Sequence, residues 1–156
     1  MKRWLSLLLA AMLVLGCAGC AKRQTVTVYR IADGGTTLFQ TEAVTVADGG
    51  DPIRTALDAL DAAPADSTCT NPVRGRLALD GYRVDGDTGT LWLTAAAVDG
   101  TSMSGIGYTQ ALACLVLTCT AFDGVSSVGL EDADGTVLQT PLTANDLSLA
   151  DAATGG

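Results

Sequence analysis

Six of the chain's seven aspartate–glycine pairs stand between candidate elements, at Asp33-Gly34, Asp48-Gly49, Asp85-Gly86, Asp99-Gly100, Asp123-Gly124 and Asp134-Gly135. Aspartate side chains hydrogen-bond nearby backbone and glycine reaches positive φ, so each pair marks a bend and leaves only short segments between. Thr25–Ile31 alternates as a strand, with Val26, Val28 and Arg30 facing one way and Thr25, Thr27, Tyr29 and Ile31 the other. Leu38–Val46 returns as a second extended stretch. Asp51-Pro52 is a helix start, because aspartate caps free N–H groups and proline suits the first helical position. Ile53, Ala56, Leu57 and Leu60 then form one stripe of a helix over residues 52–63. After a polar connection over residues 64–75, strands at 76–84 and 90–95 pair through the turn at 85–89. A second helix spans residues 107–121, with core stripe Tyr108, Ala111, Leu112, Leu115, Cys119 and Phe122, and a last strand pair occupies 125–130 and 136–139. The order ββαββαββ predicts an α+β two-layer sandwich, a mixed and mostly antiparallel sheet with both helices on one face.

The N-terminus reads as a leader. Lys2 and Arg3 precede a run from Trp4 to Leu15 that is apolar apart from Ser6. As a helix, Leu5–Leu15 would reach roughly 17 Å, short of a hydrocarbon core of about 30 Å. Val14-Leu15-Gly16-Cys17 resembles the lipobox of bacterial lipoprotein precursors, which implies cleavage after residue 16 and diacylation of Cys17. Cys20, after Ala18-Gly19, is a weaker alternative because Cys17 would then stand where the lipobox usually has leucine or valine. Two acyl chains give firm attachment, each buried methylene contributing about 0.8 kcal/mol. The expected organisation is a signal peptide over 1–16, a lipidated tether over 17–24, one domain over 25–147 and a flexible tail over 148–156. Localisation follows as the extracytoplasmic face of a cell membrane.

Charge and composition narrow the function. Seventeen acidic residues face nine basic ones, and loss of Lys2 and Arg3 with the leader brings the net charge to −10. The remaining cations are scattered, which argues against nucleic acid as a partner. No histidine occurs anywhere, which removes Ser-His-Asp and Cys-His catalysis and most catalytic zinc sites. Glu131-Asp132-Ala133-Asp134-Gly135 fails as a calcium loop, since the closing acidic position would fall on Pro141. Asp85 and Asp87 sit at an exposed turn, and Ser102 and Ser104 have no base in reach. No catalytic, metal or cofactor-binding residue is assigned, and no cofactor is expected.

Val28-Tyr29, Asp51-Pro52-Ile53-Arg54-Thr55-Ala56-Leu57-Asp58-Ala59-Leu60, Gly89-Thr90-Leu91-Trp92-Leu93, Gln110-Ala111-Leu112 with Leu117-Thr118, and Phe122-Asp123-Gly124-Val125-Ser126-Ser127-Val128 with Asp134-Gly135 together resemble the GerMN domain. That module occurs in GerM-type sporulation and germination lipoproteins. The resemblance covers Val26 to about Leu147 and weakens between Asp66 and Arg74. It implies a non-catalytic interaction or assembly role at the envelope, through a protein partner or self-association. The alternative is a lipoprotein that binds a small ligand or a cell-wall polymer, a reading disfavoured by the few aromatic residues.

Two further expectations concern particular side chains. Cys114 and Cys119 point about 140° apart on one helix, so a Cys69–Cys114 disulfide with Cys119 as a buried thiol is expected, against three reduced thiols. From Tyr108 to Phe122 there is no charge, so Ala113, Val116, Leu117 and Thr120 are expected to form an open interaction face, unless the first helix and the 64–75 connection cover it.

Overall fold

The computed structural model describes residues 23–33 and 38–147. Its elements are β1 (Thr25–Ala32), β2 (Phe39–Thr45), α1 (Pro52–Asp61), β3 (Cys69–Thr70), β4 (Leu77–Asp85), β5 (Thr90–Ala97), α2 (Gly105–Cys119), β6 (Ser127–Glu131) and β7 (Val137–Leu142). The α+β class is the one the turn spacing predicts, with the strands divided between two sheets. One runs β2-β1-β3 and the other β4-β5-β6-β7. The 64–75 connection contributes the short β3, which pairs with Ile31 and Ala32 at the edge of the first sheet. Every pairing is antiparallel except β5–β6, whose crossover is α2.

The local chemistry explains the elements. Asp51 accepts from the backbone N–H groups of Ile53 (2.9 Å) and Arg54 (3.3 Å), and Pro52 opens α1. Ala56, Leu57 and Leu60 are its buried stripe. At its far end Asn71 donates through Nδ2 to the carbonyls of Leu60 and Ala62 and accepts from Val73 N–H at 3.1 Å, which ties the connection to the helix terminus. The β4–β5 hairpin carries a bulge at Asp80, between Leu79 and Gly81. At its turn Gly89 has φ +66°, and a Cβ there would lie 2.8 Å from Ser126 Oγ. The carbonyl of Gly89 accepts from Ser126 N–H at 2.8 Å, joining that turn to the start of β6.

α2 is the centre of the core. It packs on β1 and β6, one from each sheet, and on α1. A helix without charge on any side is a buried helix. Tyr108, Ala111–Val116, Thr118 and Cys119 are all buried. Thr118 is the polar exception, and its Oγ1 accepts from Tyr29 N–H at 3.0 Å, satisfying a β1 group that no strand reaches.

Candidate functional site

Arg30 stands on the inner face of β1 with Val26 and Val28 and is only 2% exposed. Its Nε donates to Glu42 Oε2 on β2 at 3.0 Å, and its Nη2 donates to the carbonyl of Ala59 in the last turn of α1 at 2.9 Å. The guanidinium therefore supplies the positive charge that a helix C-terminus favours and that α1 lacks in its own last turn. Nη1 has no hydrogen-bond partner among the described residues. A buried donor left unmet costs about 1–3 kcal/mol, so this position is kept against a standing penalty.

Two clefts meet at this ion pair. One, of about 450 Å³, runs between β2 and α1 past Val44, Ala47, Asp58 and Ala63. The other, of about 140 Å³, continues toward Gln40, Pro64, Asp66 and Cys69, and both are lined by Arg30 and Glu42. The side chain of Glu42 is 25% exposed, so the pair is closed on the β1 side and open toward the cleft.

The other ionisable groups are committed to structural contacts. Asp51 accepts from the Tyr82 hydroxyl, which holds its carboxyl below the usual range and pushes the phenol up to about 12. Glu131 is bidentate to Arg83 at 2.9 and 2.7 Å, and that guanidinium lowers its pKa. Arg83 also lies 5.2 Å from the centre of the Trp92 ring. Backbone and side-chain hydrogen bonds from Thr68 lower Asp66. Among the described residues no group of three histidine, cysteine, aspartate or glutamate side chains could hold a metal ion.

Residues 27–139 match the family described as Germane, sporulation and spore germination. The chain belongs to this family. Two solved structures share the GerMN fold. The tandem GerMN domains of the sporulation protein GerM from Bacillus subtilis superpose with a TM-score of 0.57 at 18% identity, covering 81% of this chain and 48% of that one. The first GerMN domain of the same protein gives 0.59 at 15% identity, covering 79% of this chain and 99% of that one. This chain thus spans about half the length of the tandem structure, and at such identity the likeness is one of fold. No curated protein matches the sequence.

On this GerMN domain the side chains singled out from sequence fall in different places. Cys17 and the leader lie outside the described residues, as does the tail from 148. The open face expected on the second helix is corrected: Ala113 and Val116 are 2% and 1% exposed, and Leu117 and Thr120 are half-buried. Burial between β1, β6 and α1 is what the missing charges recorded. The Cys69–Cys114 bridge is also corrected, since Cys69, Cys114 and Cys119 are all free thiols. β3 places Cys69 opposite Ala32 at the sheet margin, where its Sγ donates to Gln40 Oε1 at 3.0 Å, while Cys114 points into the core. Burial pushes Cys114 and Cys119 up to about 12. Sequence reading put Arg30 on the same face as Val26 and Val28 but gave it no role. The signal was an arginine in the alternating register of two core valines.

Proposed function

We infer that this GerMN-family chain is a non-catalytic, lipid-anchored module that works by protein–protein interaction at the extracytoplasmic face of the cell membrane, in sporulation, germination or envelope assembly. The observation that carries the reading is the family match over residues 27–139 in a chain whose Cys17 directly follows Val14-Leu15-Gly16. Supporting it, the shifted carboxylates serve turns, caps and ion pairs, which leaves them no acid–base task. The larger cleft has the volume of a small-molecule site, yet no aromatic side chain lines it among the described residues, and sugars and wall polymers are usually held on aromatic platforms.

Replacing the native copy by Cys17→Ala in the parent organism tests the reading. Incorporation of a fatty-acid probe should stop, the protein should leave the membrane fraction, and the yield of heat-resistant spores or their germination rate should fall. Undiminished label on the Cys17→Ala protein would remove the anchor from Cys17, and normal spores from an unanchored protein would remove the envelope role.

A further inference from the structure

We propose that the cleft between β2 and α1 receives an extended, basic segment of a partner protein, which adds as a strand to the outer edge of β2 and places an uncharged hydrogen-bond acceptor on Nη1 of Arg30. The proposal rests on the interaction reading above and names the partner's chemistry.

Backbone geometry gives the first reason. Val46 N–H donates to the carbonyl of Gln24 and Ala32 N–H to that of Leu38. In an antiparallel ladder hydrogen-bonded pairs alternate, so Val44, Glu42 and Gln40 spend their backbone groups on β1. Thr41, Ala43 and Thr45 turn theirs to the other side, where no strand pairs among the described residues. β2 carries none of the usual edge defences. It has no lysine, no proline and no bulge.

Its one inward charge, Glu42, would ordinarily discourage pairing, but it is tied to Arg30. Arg30 itself lines the cleft, nearly inaccessible, and its Nη1 has no acceptor among the described residues. An acceptor there removes a penalty that the free protein carries.

Charge chooses the occupant. Glu42, Asp58 and Asp66 line the two clefts, the only cation lining them among the described residues is the already paired Arg30, and the processed chain is strongly acidic. An anionic ligand would meet three carboxylates. A strand with lysines flanking an amide side chain meets both demands, and the alanines and Pro64 leave room for its side chains.

The test uses the full-length lipidated protein in detergent micelles with three acetylated peptide amides: Thr-Lys-Val-Gln-Val-Lys-Thr, the same peptide with leucine for glutamine, and Thr-Glu-Val-Gln-Val-Glu-Thr. Titration calorimetry should show the first binding about tenfold tighter than either of the others, the ratio expected for one hydrogen bond to a charged donor. Hydrogen exchange should slow at the amides of Thr41, Ala43 and Thr45 when it binds. Ala63→Trp, which fills the cleft from an exposed position, should weaken binding at least tenfold without lowering Tm. Equal binding of the leucine peptide, protection away from β2, or no binding of the basic peptide would each overturn the proposal. Any of these with the Cys17→Ala phenotypes intact would remove the β2 site alone and leave the anchored interaction role standing.

Discussion

Gly129 is a position where one added methyl group should be costly. It lies on β6 directly opposite Trp92 of β5, and Arg83 of β4 is opposite Trp92 on the other side, so the three form a row across the sheet. A Cβ on Gly129 would stand 2.6, 2.7 and 3.1 Å from three carbons of the Trp92 ring. Ordinary carbon contacts are about 3.5–4.0 Å, so the ring must retreat by roughly 1 Å. Overpacking of this kind costs about 1–3 kcal/mol, and displacing the ring from Arg83 adds about 0.5–1 kcal/mol. Against this, alanine is better than glycine in a strand by roughly 0.5–1 kcal/mol. Gly129→Ala should therefore destabilise the domain by about 1–2 kcal/mol and lower Tm by roughly 4–8 °C. Trp92 is the only tryptophan among the described residues, so its emission should shift to the red in the folded variant. In a Trp92→Leu background the same change should cost less than half as much, because the clash partner is gone. A Tm that holds or rises in Gly129→Ala, or full additivity with Trp92→Leu, would refute the reasoning.

At the alkaline end, the Tyr82 phenol should titrate near 12, followed by phenolate absorbance, and Asp51→Asn should return it toward its ordinary value near 10 while keeping the α1 cap. Because that folded pKa is raised, its stabilising contribution is present below about 10 and is lost as pH climbs toward 12. At the acid end the sign reverses: Glu131 is lowered by Arg83, so its contribution is present above about 4.5 and is lost as pH falls through the folded value, and Arg83→Gln should flatten this part of an acid-unfolding curve. Cys114 and Cys119, with thiols near 12, should resist alkylation at about pH 8 in the native protein, and all three thiols of the domain should react after denaturation. Only one reactive group of these three per unfolded chain without reductant would show that a disulfide is present. Asn71→Ala removes two donated bonds from the end of α1 and should cost about 1–2 kcal/mol in denaturant unfolding.

Local chemistry made much of this domain legible in its sequence. Asp-Gly pairs placed the turns, Asp51-Pro52 placed the start of α1 and alternation placed β1, because each depends on residues within a few positions of one another. The α+β class followed from their order, and the residues that resemble the GerMN domain pointed to the family that residues 27–139 match. Partition into two sheets was not legible, and neither was the pairing of Cys69 and Thr70 with Ala32 and Ile31, which joins residues across a long separation. The same limit misplaced the face of α2: a run without charge is equally consistent with an open contact surface and with burial on every side, and only packing by β1, β6 and α1 selects burial. It also hid the cleft. Arg30, Glu42 and Ala59 come from three separate elements, and Nη1 is unmet because two of them use the other guanidinium nitrogens and none of the described residues uses the third. Sequence determines which groups a chain owns and which way neighbouring ones point; the tertiary fold decides which of them are left without a partner.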